Sequence, residues 1–122
     1  MKRNQREVGS RYEEKAAAYL TEQGLTVVER NYRCRTGEID IIARDGACYV
    51  FCEVKYRYDQ SAGDPAEAVD ARKQQVIFRT AAFYMRQKGL GEDTPCRFDV
   101  IAVTGIGDTL RLRWLRDAFG GF

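Results

Sequence analysis

Histidine is missing from the 122 residues, and that absence excludes whole classes of chemistry. No Ser-His-Asp or Cys-His triad can be assembled. HExxH zinc sites and two-histidine, one-carboxylate iron sites are equally out of reach. Hydrolytic chemistry must therefore rest on carboxylates, lysine, tyrosine or cysteine. Paired-cysteine motifs are lacking too. Cys34, Cys48, Cys52 and Cys96 make no CxxC spacing, so they read as reduced, mostly buried thiols rather than zinc ligands. No apolar run approaches the ~18 residues of a membrane span. The polar opening Met1-Lys2-Arg3-Asn4-Gln5-Arg6 has no apolar stretch behind it, so no secretion signal is expected. These absences lead to the expectation of a cytoplasmic protein with no membrane partner. No repeat or low-complexity tract is present.

What is there fits one soluble domain. The hydrophobic fraction is 44% and the charged fraction 31%, ordinary values for a globular protein. Twenty cations face 18 acids, a net charge of +2. Fifteen of the twenty are Arg and five are Lys. Arg suits phosphate and carboxylate recognition through its planar fork. A soluble surface with an Arg-rich composition accounts for the same numbers.

The local patterns predict the order α-β-β-β-α-β-β. Ser10-x-x-Glu13 is a capping-box pattern that starts a helix over about 10–23, ended by Gly24. A β-rich stretch runs from Leu25 to about Tyr32, followed by the basic turn Arg33-Cys34-Arg35-Thr36-Gly37. Glu38 to Arg44 and Cys48 to Tyr58 read as antiparallel strands around Asp45-Gly46. After a polar loop at 59–64, Asp64-Pro65-x-Glu67 marks a second helix start, with a run to about Lys88 and a stop at Gly89. Phe98 to Val103 is a near-continuous apolar strand. Thr109 to Leu115 alternates Leu110, Leu112 and Trp114 against Arg111 and Arg113, as a half-exposed edge strand does. A single sheet with helices on its faces satisfies this order. Residues 1–8 are expected as a flexible basic N-terminus and 116–122 as a tail.

Strand alternation picks out the chemistry. Glu53 and Lys55 project to one side of their strand, Cys52 and Val54 to the other. Asp40, between Ile39 and Ile41, faces away from both, so the hairpin can set it beside Glu53. Two carboxylates on neighbouring strands form a hard-oxygen set suited to Mg²⁺ or Mn²⁺. Such a metal lowers the pKa of bound water and clamps a phosphate oxygen. Lys55 adds positive charge near the attacking water, or serves as general base if desolvated. The competing reading is a structural salt-bridge cluster at a strand end.

Gly37-Glu38-Ile39-Asp40-Ile41-Ile42-Ala43 followed by Val50-Phe51-Cys52-Glu53-Val54-Lys55-Tyr56-Arg57 resembles the YraN family of small bacterial proteins. That family is similar to the Holliday-junction-resolvase branch of the PD-(D/E)xK nuclease superfamily. Gly9-x-x-Tyr12-Glu13-x-x-Ala16, Asn31-Tyr32-Arg33, Gly63-x-Pro65-x-Glu67-Ala68-Val69, Lys73 and Arg97-Phe98-Asp99-Val100 extend the resemblance over residues 9–103. Two positions depart from the pattern. Tyr12 stands where the family usually has Gly, which could crowd Glu13. Ile39 replaces the nominal Pro before Asp40.

The resemblance implies a restriction-endonuclease-like α/β core with a central mixed sheet. It makes Asp40 and Glu53 metal ligands, joined by the Val54 carbonyl, with Mg²⁺ or Mn²⁺ as cofactor. Lys55 would orient or activate water, and Glu13 would hold a metal-bound water or a second metal. Gln74 or Gln75 is an accessory candidate. Arg33, Arg35, Arg57 and Lys73 flank the motif and are the candidate nucleic-acid contacts, with Arg11 and the Lys2–Arg6 tail behind them. Each single Arg is equally readable as an exposed surface residue. Tyr56 and Tyr58 could stack on a base or pack at the sheet edge.

The leading expectation is a divalent-metal-dependent endonuclease acting on branched or otherwise structured DNA, with RNA the lesser option. The rivals are a non-catalytic nucleic-acid-binding module and an interaction protein on a degenerate nuclease fold. The second rival draws on the 114–122 tail, where Phe119 and Phe122 have little room to be core. A homodimer is left open, with the 109–115 edge strand as one surface that could pair.

Overall fold

In the computed structural model, residues 5–57, 69–105 and 107–120 are described. Helix α1 (Gln5–Glu22) leads into β1 (Thr26–Cys34), β2 (Gly37–Asp45) and β3 (Cys48–Arg57). Helix α2 (Ala71–Gln87), β4 (Cys96–Thr104) and β5 (Arg111–Phe119) complete the order, with a 3-10 turn at Gly107–Thr109. The five strands form one sheet in sequence order. Only β3 and β4 run parallel; the other neighbours are antiparallel. The expected α/β class and mixed sheet are therefore observed.

The two faces of the sheet are covered separately. Ile77, Ala81 and Tyr84 of α2 pack with Tyr32, Ile42, Phe51, Phe98 and Phe119. Ala16, Ala17 and Leu20 of α1 pack with Ile41, Ala43, Val50, Cys52, Ile101 and Val103. Strand β4 is buried from Phe98 to Val103, which explains its unbroken apolar run. Each fully buried Ile, Leu or Phe contributes roughly 1.5–3 kcal/mol.

Several boundaries differ from the sequence expectation. Helix α1 starts at Gln5, so Ser10 lies inside it rather than at its start. Glu13 is thereby a mid-helix residue. The start expected at Asp64-Pro65-x-Glu67 lies outside the described residues, as do the 59–64 loop, Tyr58, Lys2 and Phe122. Helix α2 itself is capped by Asp70, whose side chain accepts the Lys73 N–H. The β2–β3 turn is Gly46-Ala47, because Asp45 already pairs with Cys48. Strand β5 continues through 116–119 rather than ending in a tail there. Phe119 is 9% exposed, with its ring 5.5 Å from that of Phe98. It is core after all, which removes the Phe119 part of the argument for a spare docking tail.

Two features hold the framework around the site. Gly37 opens β2 against α2 with φ +154°, and a Cβ there would lie 2.5 Å from Val76 Cγ1 and 2.9 Å from Thr80 Oγ1. Only glycine allows so close an approach of strand to helix. On β4, opposite Cys52, Asp99 is fully buried. Its carboxylate accepts from Arg97 Nε (3.1 Å), Trp114 Nε1 (2.9 Å) and the Asp117 N–H (2.8 Å). Arg97 also reaches Asp45 at 2.9 Å. A buried charge is tolerable only with such partners.

Candidate carboxylate–lysine site

The site forms where β2 and β3 part. Their pairing runs from Asp45↔Cys48 to Ile41↔Cys52 and stops there. Asp40 would come next, opposite Glu53. Instead, its Oδ2 accepts the Val54 N–H at 2.8 Å, so the carboxylate occupies the place of a ladder hydrogen bond. The expectation that Asp40 faces away from both Ile39 and Ile41 needs correcting. Ile39 packs on the α2 side and Ile41 on the α1 side. The alternation breaks at Asp40, which points between the strands toward β3. Val54, expected to offer its carbonyl, gives its N–H to Asp40.

Three acids from three elements meet at this gap. Glu13 from α1 shares a hydrogen bond with Asp40, and Asp40 repels Glu53 on β3. Glu53 is only 6% exposed. Burial, then the Asp40 charge, pushes its carboxyl up to about 7; Lys73 and Lys55 pull in the other direction. Glu13 is also raised to about 7, by burial and then by Asp40. Asp40 is raised by burial, against the lowering effect of the Val54 N–H. Crowded acids with little solvent are the situation in which the charged forms are disfavoured.

Two ammonium groups answer this charge. Lys55 Nζ lies 3.4 Å from Glu53 Oε1, and Lys73 Nζ lies 3.9 Å from the same oxygen. Lys73, expected among the outlying nucleic-acid contacts, thus enters the centre of the site from the first turn of α2. Arg33 is exposed and pairs with Glu38 at 3.3 Å. Arg35 is exposed in the β1–β2 turn. Arg57 ends β3, with its side chain outside the described set. Gln74 donates its amide to the Val69 carbonyl at 2.9 Å, and Gln75 is exposed.

The Tyr12 ring stacks on Tyr56 at 4.1 Å and 6°. Tyr12 is therefore engaged by β3, and Tyr56 packs against the helix rather than standing ready for a base. The Tyr56 hydroxyl donates to the Gly105 carbonyl at 2.9 Å.

Sequence reasoning missed two members. Glu38 adds negative charge that raises both Glu13 and Asp40. Asn31, on a left-handed backbone of φ 54°, acts on Glu13 as a hydrogen-bonding neighbour that lowers its pKa against the other influences. Both stand inside the motifs that carry the resemblance, without a role assigned there; the further signal for Asn31 is its residue type, since Asn tolerates that conformation better than most.

The donor set is all carboxylate oxygen, the chemistry that hard divalent ions prefer. Among the described residues, no three acidic or thiol side chains are drawn into a metal-holding group as they stand. Glu53 is turned onto the two lysines. No described helix is long and apolar enough to cross a membrane.

Comparison with known proteins places this geometry in context. A family model described as "Uncharacterised protein family UPF0102" matches residues 12–103. A UPF0102 protein of Lachnoclostridium phytofermentans is 44% identical over 119 residues, covering 98% of each chain. One from Symbiobacterium thermophilum is 46% identical over 115 residues, covering 93% of this chain and 97% of its own. One from Stutzerimonas stutzeri is 42% identical over 104 residues, covering 85% and 87%.

Proposed function

The chain belongs to the UPF0102 family, and on that premise we propose that it is a divalent-metal-dependent endonuclease acting on branched or otherwise structured DNA. The observation that carries the reading is the convergence of Glu13, Asp40 and Glu53 with Lys55 where β2 and β3 part. The resemblance of Gly37–Ala43 and Val50–Arg57 to the PD-(D/E)xK pattern supports it.

In this reading Asp40 and Glu53 hold Mg²⁺ or Mn²⁺, with the Val54 carbonyl and Glu13 as further oxygen donors. The bound ion would supply a water of lowered pKa and a clamp for a phosphate oxygen. Lys55 orients the water and places positive charge beside the scissile phosphate. Lys73, now 3.9 Å from Glu53, would be the cation placed to contact a phosphate were Glu53 engaged by a divalent ion. The sheet behind Glu53 excludes bulk water, which strengthens each charge interaction. Arg33, Arg35 and Arg57 give sequence-independent backbone contacts. The fold is a restriction-endonuclease-like core, and a homodimer would match the two symmetric cuts of a four-way junction.

The test is cleavage of four-way, flapped and single-stranded DNA with Mg²⁺, Mn²⁺ and excess chelator. Metal-dependent cutting lost in Asp40→Asn and reduced ~10²–10⁴-fold in Lys55→Ala is expected. Inactive wild type on every substrate, or equal activity in both variants, would sink the reading. Salt-sensitive binding without cleavage would assign a binding module instead.

A further inference from the structure

Asn31 sits in the middle of edge strand β1, where a regular backbone is the rule. Its φ of 54° is left-handed, a conformation that costs free energy for a residue with a Cβ. An extra residue upstream determines what Asn31 faces. The register moves between Val27↔Ala43 and Glu29↔Ile42, leaving Val28 as a bulge. Without it Arg30 would stand opposite Asp40. With it the pairs Arg30↔Ile41 and Tyr32↔Ile39 bracket Asn31 against Asp40. A bulge of this kind re-aims side chains.

The bulge thus sets Asn31 across from Asp40, where its amide acts on Glu13 of α1 as a hydrogen-bonding neighbour that favours the charged carboxylate. The other charged neighbours of Glu13, Asp40 and Glu38, repel it. The second left-handed non-glycine residue among those described behaves alike: Asp117, φ 51°, gives its N–H to the buried Asp99 carboxylate where the β4–β5 register shifts. In both places an irregular edge strand adds a partner to a carboxylate.

We infer that Asn31 is a positioning residue for the metal site, holding the Glu13 carboxylate toward Asp40 so that the two present one oxygen face to a divalent cation. The inference rests on the metal-site reading above but not on the cleavage step. It predicts that an amide at this position, and not merely the bulged backbone, sets metal affinity. Outer partners of metal ligands typically govern affinity by 10–100-fold.

The experiment is Mn²⁺ titration of the full-length, metal-free protein by calorimetry, with thermal melts run alongside. Asn31→Gly removes the amide and accepts the left-handed backbone; Asn31→Ala removes the amide and adds strain. Asn31→Gly is expected to melt within a few degrees of wild type and to bind Mn²⁺ roughly 10–100-fold more weakly. Asn31→Ala is expected to show the same loss with a lower melting temperature. Wild-type affinity in Asn31→Gly would overturn the inference. A wild type that binds no Mn²⁺ would overturn both this inference and the metal-site reading. A wild type that binds Mn²⁺ tightly but cuts no DNA, beside a weakened Asn31→Gly, would support the inference while sinking the endonuclease proposal.

Discussion

Replacing Glu53 with Gln should make the metal-free protein more stable at pH 8. Glu53 is 6% exposed, and its carboxyl is raised from 4.5 to about 7 by burial first and Asp40 second. Unfolded, it loses its proton near 4.5; folded, it keeps it to about 7. Between those values the folded state binds more protons, so stability falls as pH rises. The favourable contribution is complete below pH ~4.5 and gone above ~7. At ~1.4 kcal/mol per unit the buried charge costs about 3 kcal/mol at pH 8. Gln has no proton to lose, but Lys55 and Lys73 then lose their partner. The net gain is therefore roughly 1–3 kcal/mol, or about 4–12 °C for a domain of this size. Urea unfolding at pH 5, 6, 7 and 8 reads this directly. Glu53→Gln should be flatter with pH than wild type, with exposed Glu14→Gln as the control. A variant less stable than wild type at pH 8, or equally pH-sensitive, would refute the reasoning.

Three further outcomes follow from the same geometry. Saturating Mn²⁺ should raise the wild-type melting temperature at pH 8, by the equivalent of ~2.7 kcal/mol at 100 times its dissociation constant; differential scanning fluorimetry should show that shift lost in Asp40→Asn. Gly37→Ala should cost roughly 1–3 kcal/mol in urea midpoint, because its Cβ would meet Val76 and Thr80 of α2. Asp99→Ala should cost roughly 3–5 kcal/mol, because Arg97, which keeps Asp45, loses its buried counter-charge; unchanged unfolding would refute the network's role.

The element order was legible because apolar periodicity and the stops at Gly24 and Gly89 are local signals. Glu53 and Lys55 were legible for the same reason, as neighbours two apart on one strand. What failed was whatever depends on a partner strand or helix. Ser10-x-x-Glu13 has the letters of a capping box, yet α1 continues back to Gln5. Asp40 seemed to obey strict alternation, yet the strands separate there and its carboxylate turns to a backbone N–H. The Val28 bulge and the left-handed Asn31 leave no trace in composition. Phe119 looked surplus because its place in the core depends on Phe98 and Phe78, distant in the chain.

The single parallel junction has a consequence for synthesis. β1, β2 and β3 are joined by short hairpins and can pair as soon as they emerge. β3 must wait for β4, which begins at Cys96, about forty residues later. At ~5–20 residues per second, the free edge of Cys48–Val54 stays open on the ribosome for roughly 2–8 s. That segment, Cys-Tyr-Val-Phe-Cys-Glu-Val, is rich in strand-forming residues and carries one charge, the signature of a self-associating edge. Glu53 and Lys55 would then act as gatekeepers during biosynthesis, and neutral replacements that stabilise the finished protein would lower its soluble yield.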